Sequence, residues 1–265
     1  MTSYLAQGPA RIRDAFAARK VFIPYVVAGD PDLDTTAEVI RAAVRGGADA
    51  VEIGIPFSDP TAEGPVITAA TQRSLAHGTT TADAFTLVEE LRKDVTVPFF
   101  FMTYAAVVFA RGSEQFIRRC AEVGVDGLII PDIPLEERGE FAPYCEKYGV
   151  ALVPLVAPTS GARTAAIARA ATGFVYVVSS LGVTGMRSSI TTDVQRLSDA
   201  IHAAADIPCA IGFGISTPEQ AAEMAAHADG VIVGSAIVNL VAERGKEAPA
   251  AVEEFVGAMT AAIRG

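Results

Sequence analysis

Eight short runs rich in β-branched and aromatic residues alternate with longer helical stretches, and this alternation constrains the fold more than any other feature. The strand candidates lie at 21–27 (VFIPYVV), 49–54 (DAVEIG), 97–103 (VPFFFMT), 126–130 (DGLII), 150–156 (VALVPLV), 174–179 (FVYVVS), 207–213 (IPCAIGF) and 229–234 (DGVIVG). Most are near-continuous apolar runs, the mark of strands covered on both faces. The helical stretches include 34–45, 64–76, 82–93, 113–123, 136–147, 161–171, 191–205 and 217–227, and Thr217-Pro218-Glu219 is a helix start. Eight βα units in about 250 residues fit an α/β fold of one closed (β/α)8 TIM barrel, with an N-terminal helix before it. The chain then forms one catalytic domain over 1–265. An open doubly wound sheet is the rival arrangement.

Composition narrows the function classes. Apolar residues make up 51% of the 265 and charged residues 20%, enough for a large core. The net charge of −10 and the absence of any Lys/Arg run make nucleic acid and anionic membranes poor partners. A small anion can still bind where backbone N–H groups cluster. The N-terminal stretch lacks a signal-peptide core, and no apolar run is long enough to span a bilayer. Cys120, Cys145 and Cys209 fit no disulfide framework and no metal-ligand spacing. The expectation is a soluble cytoplasmic protein without a metal.

Two connections are long: from Gly54 to about Gly64 after the second strand, and from Ser180 to about Ile190 after the sixth. Such loops lie at the C-terminal face of a barrel, where these folds bind substrate. Glu52 sits within an otherwise apolar strand just before the first of them. It is either a solvated strand-end carboxyl or one in an apolar pocket, with its pKa raised for proton delivery. Asp59 and Glu63 follow on the loop, where turn and cap chemistry is the plainer explanation. Glycines recur at the ends of strands six, seven and eight: Gly182 and Gly185, Gly212 and Gly214, then Gly234-Ser235. They let backbone N–H groups at helix starts approach a dianion.

GIPFSDPTAEGP closely resembles the corresponding loop of the tryptophan synthase α subunit family. The resemblance continues through IPYVVAGDP, FMTYAAVVF, GVDGLIIPDIPLEE, FVYVVSSLGVTG, IGFGISTPEQ and ADGVIVGSAIV, covering nearly all of residues 20–242. It implies cleavage of indole-3-glycerol phosphate to indole and glyceraldehyde 3-phosphate without a cofactor. Pyridoxal phosphate is then expected only in a β-subunit partner, within an α2β2 assembly.

By the resemblance, Glu52 is the general acid/base, Glu63 contacts the indole N–H and Tyr176 lies beside Glu52. Tyr25, Met102, Ile129 and Phe213 match the indole pocket. Gly185, Gly214, Gly234 and Ser235 match the phosphate site, and Thr184 matches a lid residue that bonds an active-site carboxylate. The sequence departs from the pattern in three places. Glu63 replaces the usual Asp, Tyr25 stands where Phe is frequent, and Tyr104-Ala105-Ala106 lacks an Asn found in many members. The loop SSLGVTGMRSSI reads as a lid hinged on glycines. Asp132 either steadies these loops or makes a turn. His77, His202 and His227 read as surface or interhelical residues. Two other functions compete: a stand-alone lyase releasing indole, and a non-catalytic barrel that activates a partner.

Overall fold

The computed structural model describes residues 8–178, 187–212 and 214–265, with the side chains of 187–192 set aside. The described residues form nine parallel strands: β1 (Val21–Val27), β2 (Val51–Gly54), β3 (Phe99–Met102), β4 (Gly127–Ile129), β5 (Ala151–Val153), β6 (Leu155–Val156), β7 (Val175–Val178), β8 (Cys209–Gly212) and β9 (Gly230–Val233). Their order is β5-β4-β3-β2-β1-β9-β8-β7-β6. The ends of that order are consecutive in sequence, so the sheet closes and the rival open sheet is excluded. The expected single strand at 150–156 is instead two. Pro154 has no N–H to give a ladder, so β5 pairs with β4 on one side of it and β6 with β7 on the other. The barrel therefore has eight staves, one of them broken.

Helices cover the outside. α1 (Gly8–Ala18) precedes β1, as expected of an N-terminal helix. Between β1 and β3 come α2 (Leu33–Arg45), α3 (Pro65–Ala76) and α4 (Thr81–Leu91). Asp32 caps α2 by accepting from the Thr35 N–H at 2.7 Å, and Thr80 with Asp83 closes a capping box at α4. After β3 come α5 (Ala105–Arg111) and α6 (Ser113–Val123), then α7 (Ala142–Tyr148), α8 (Thr164–Ala170), α9 (Arg187–Ala204), α10 (Pro218–Ala225), α11 (Ser235–Arg244) and α12 (Ala248–Arg264). Thr217 caps α10 at the expected start. The stretches expected as helix at 136–147 and 161–171 each begin as a short 3-10 turn before α7 and α8. α9 starts about one turn before the expected 191. α12 packs against α2 and α10. No helix of the described residues is long and apolar enough to cross a membrane.

Two apolar layers result. Residues alternating outward, such as Val51, Ile53, Phe99 and Phe101, pack against the helices. Those alternating inward, such as Tyr25, Phe100, Met102, Ile129 and Tyr176, fill the barrel.

A repeated polar device holds the N-terminal end. Asp49, Asp126 and Asp229, in GADA, GVDG and HADG, each stand just before a strand. Each accepts one of the first two backbone N–H groups of the preceding stave: Phe22 at 2.9 Å, Phe99 at 2.8 Å and Cys209 at 2.9 Å. Thr172 does the same for Leu152 at 2.7 Å. Bases balance the acids: Arg19 and Arg264 at Asp49, Arg11 and Arg92 at Asp126, and His202 at Asp229. This brings His202, Asp229 and Cys209 together, a grouping that the wide cysteine spacing hid. Asp126 is fully buried, so removing its carboxylate takes a counter-ion from Arg92, which is buried too and keeps its bonds to backbone carbonyls. Asp126→Ala is expected to destabilise the barrel by about 3–5 kcal/mol in urea unfolding. Asp199→Ala on the exposed side of α9 is expected to change it by less than about 0.5 kcal/mol.

Candidate active site

The alternation of β2 aims Glu52 at the interior. Val51 and Ile53 face the helices while Ala50 faces the barrel core, so Glu52 and Gly54 point inward with Ala50. Register sets Glu52 between Tyr25 of β1 and Phe100 of β3. Glu52 is only 1% exposed, and neither carboxyl oxygen has a hydrogen-bond partner among the described residues. Burial pushes its pKa up to about 8, with the nearby Glu63 charge adding to the rise. A carboxyl in this state is neutral at pH 7 and carries a proton to give.

Two glycines make room for two tyrosines beside it. A β-carbon at Gly54 would overlap the Tyr25 hydroxyl, and one at Gly212 would overlap the Tyr176 hydroxyl. Gly54 on β2 and Gly212 on β8 are therefore the seats of these side chains. Both tyrosines are buried, and burial followed by the Glu52 charge holds both phenols well above the ordinary value.

Glu63 ends the long loop after β2, just before α3. That helix is fixed to the barrel by Arg73, which donates twice to Asp30 at 2.8 Å, and by Ser74, whose hydroxyl donates to the Ala28 carbonyl at 2.6 Å. Glu63 is half-buried and accepts a short hydrogen bond from the Tyr104 hydroxyl. Burial raises its pKa, the Tyr104 bond opposes that rise, and Asp132 adds to it. Asp132 itself accepts from the Ala105 N–H at the start of α5. It thus steadies a neighbouring loop, one of the two roles expected of it. Asp59 is exposed and accepts from the Ser58 hydroxyl, the turn chemistry expected of it.

These groups open onto one cavity of about 230 Å3 at the C-terminal mouth of the barrel. Its wall includes Tyr25, Glu52, Glu63, Met102, Tyr176, Gly214, Gly234 and Ser235, all expected from sequence. Ile129 is not among the described wall residues; it is fully buried at the end of β4, paired with the wall residue Met102. Thr184, Gly185 and Phe213 lie outside the described residues, as does the proposed lid up to residue 186; its last four residues, 187–190, begin α9. The wall also takes Ile67, Ser216, Ile232 and Asn239, which carried no distinctive sequence signal. Tyr104 was visible only as a neighbour of the missing Asn; its contact with Glu63 is a tertiary fact. A larger cleft of about 310 Å3 lies beyond β4 and β5, lined by Arg138, Arg163 and the exposed Asp132. Among the described residues it contains no buried acid, whereas the smaller cavity is walled by the buried Glu52.

The raised pKa of Glu52 has a stability consequence with a definite sign. The folded state holds this proton more tightly than the unfolded chain, so its contribution is full below about pH 4.5 and is lost as pH rises through about 8. Glu52→Gln removes that dependence. The variant is expected to gain stability relative to the parent between pH 5 and 8, by up to roughly 1.4 kcal/mol per pH unit in urea unfolding. Gly212→Ala displaces Tyr176 and is expected to lower kcat/KM about 10²-fold.

Comparison with known proteins agrees with this geometry. The sequence model of the family described as tryptophan synthase alpha chain matches residues 13–264. The tryptophan synthase alpha chain of Lacticaseibacillus casei is 50% identical over 254 residues, covering 96% of each chain. That of Lactiplantibacillus plantarum is 50% identical over 251 residues, covering 94% of this chain and 95% of the relative. The crystal structure of tryptophan synthase subunit alpha from Legionella pneumophila superposes with a TM-score of 0.86 at 35% identity, covering 96% of this chain and 98% of that one. With its family model, its relatives and its barrel in agreement, the chain belongs to the tryptophan synthase alpha chain family.

Proposed function

We propose that the barrel-mouth cavity cleaves indole-3-glycerol phosphate with Glu52 as the proton carrier. Family membership makes the chain a carbon–carbon lyase of tryptophan biosynthesis, forming indole and glyceraldehyde 3-phosphate; the roles of its residues are our reading. The observation that carries it is a buried carboxyl, without a partner among the described residues, in the wall of a cavity whose rim bears a second acid.

Neutral Glu52 gives its proton to the indole ring carbon that bears the glycerol chain. Positive charge develops on the ring nitrogen, whose N–H donates to Glu63. The bond between ring and chain then breaks and its electron pair returns to the ring. The adjacent chain hydroxyl becomes the aldehyde as its proton passes to the Glu52 carboxylate. One proton leaves Glu52 and one returns, so the residue is restored and no electron is gained or lost. Tyr176 and Tyr25 present hydroxyls to the glycerol moiety. Met102 and Ile67 supply apolar wall for the indole.

The phosphate is assigned to the start of α11, where Gly234 and Ser235 face the cavity beside Gly214. No side chain caps this helix, and its dipole favours a dianion.

The same reading includes a β subunit that receives the indole and carries pyridoxal phosphate, in an α2β2 assembly, with no cofactor at this site. It also includes a cytoplasmic setting, in keeping with three buried unpaired cysteines. A stand-alone lyase and a non-catalytic barrel are not favoured, since the relatives are alpha chains and Glu52 is in place.

Purified protein is expected to release indole from indole-3-glycerol phosphate, faster with a β subunit added. Glu52→Gln should lower kcat by at least about 10² and Tyr176→Phe by about tenfold. The parent rate should fall as pH rises through about 8, because the donor loses its proton. Indole release by Glu52→Gln at the parent rate contradicts the assignment.

A further inference from the structure

Tyr104 stands two residues beyond the end of β3 and forms the N-cap of α5; it is not among the described wall residues of the cavity. It is buried at 3% exposure, with its ring packed on Phe57 of the long loop at 5.3 Å between centroids. Its hydroxyl meets three groups of that loop. It accepts from the backbone N–H of Thr61 at 3.1 Å and of Ala62 at 3.0 Å, and it donates to the Glu63 carboxylate. One rigid side chain from the barrel thus binds two successive peptide units and the acid that follows them. An acid on a ten-residue connection has many rotamers, and a longer Glu has more than an Asp. A hydroxyl that is itself fixed by two N–H donors removes most of that freedom.

We propose that Tyr104 is a positioning residue, whose hydroxyl holds the Glu63 carboxylate in its working orientation and locks the end of the long loop to β3. It does not touch substrate; it acts through Glu63. The inference rests on the proposed role of Glu63 at the indole nitrogen. The chemistry explains why a hydroxyl is needed there. Its two accepted bonds polarise the O–H, which strengthens the bond it donates. That donated bond favours the charged form of Glu63 and so opposes its burial. An ionised Glu63 is the form that accepts from an indole N–H.

The charged and titratable groups around Glu63 are Glu52 of β2, Tyr25 of β1, Asp132 beyond β4 and Tyr104 itself. Of these, only Tyr104 donates to its carboxylate among the described residues.

The test is steady-state cleavage of indole-3-glycerol phosphate by the full chain and by Tyr104→Phe, Glu63→Ala and the double variant, each first shown to be folded by thermal unfolding. Tyr104→Phe is expected to lower kcat about tenfold with KM changed less than twofold, and to cost less than twofold in the Glu63→Ala background. The acid limb of its kcat profile is expected to move to higher pH, since Glu63 loses the bond that favours its charge. An equal loss in both backgrounds, or an unmoved acid limb, overturns the proposal and leaves Tyr104 as a loop anchor only. Absence of indole release by the parent chain would instead overturn the proposed reaction.

Discussion

The structure turns on a carboxyl enclosed in the barrel, with no partner for either oxygen among the described residues. Burial of an unpaired polar group is costly, and a charge in that position costs far more. The cost is met by keeping the proton, so the group is neutral at pH 7 and prepared to donate it. The rest of the site follows from this. The neighbouring staves place two phenols beside the carboxyl, and loop residue Glu63 adds a second negative charge that keeps the proton in place. Ion-pairing Glu52 would make the barrel more stable and remove its acid.

The barrel separates this strain from its own stability. Polar anchoring is concentrated at the N-terminal end, where Asp49, Asp126, Thr172 and Asp229 each fasten the start of the preceding stave. Those groups are paired and satisfied. The C-terminal mouth carries Glu52, without a partner among the described residues, and the uncapped start of α11 opens onto the same cavity. Stability and chemistry thus occupy opposite ends of the same strands.

Much of this was legible in the chain. Near-continuous apolar runs located the staves, but whether Glu52 was solvated or enclosed stayed open until the packing of Val51 and Ile53 outward and Ala50 inward decided it. What escaped was tertiary. Pro154 reads as part of one strand because its missing N–H matters only once partners on both sides are known. Ile129 pairs with the wall residue Met102 across β3 and β4 and is fully buried, a degree of enclosure that shows only in the assembled barrel. The Tyr104 contact with Glu63 joins residues 41 apart, which no local pattern reveals. Gly54 was read only as the start of a long connection and Gly212 as one of the phosphate-site glycines, yet each is a space for a tyrosine from the neighbouring stave.

The central claim is that Glu52 keeps its proton at neutral pH inside the folded barrel. Infrared difference spectra of the parent against Glu52→Gln, recorded from pH 5 to 10, follow the protonated carboxyl stretch of this one group. The account predicts a band present at pH 7 that disappears with a midpoint near pH 8. A midpoint near the ordinary glutamate value of about 4.3 would contradict it, because a charged Glu52 cannot be the proton donor.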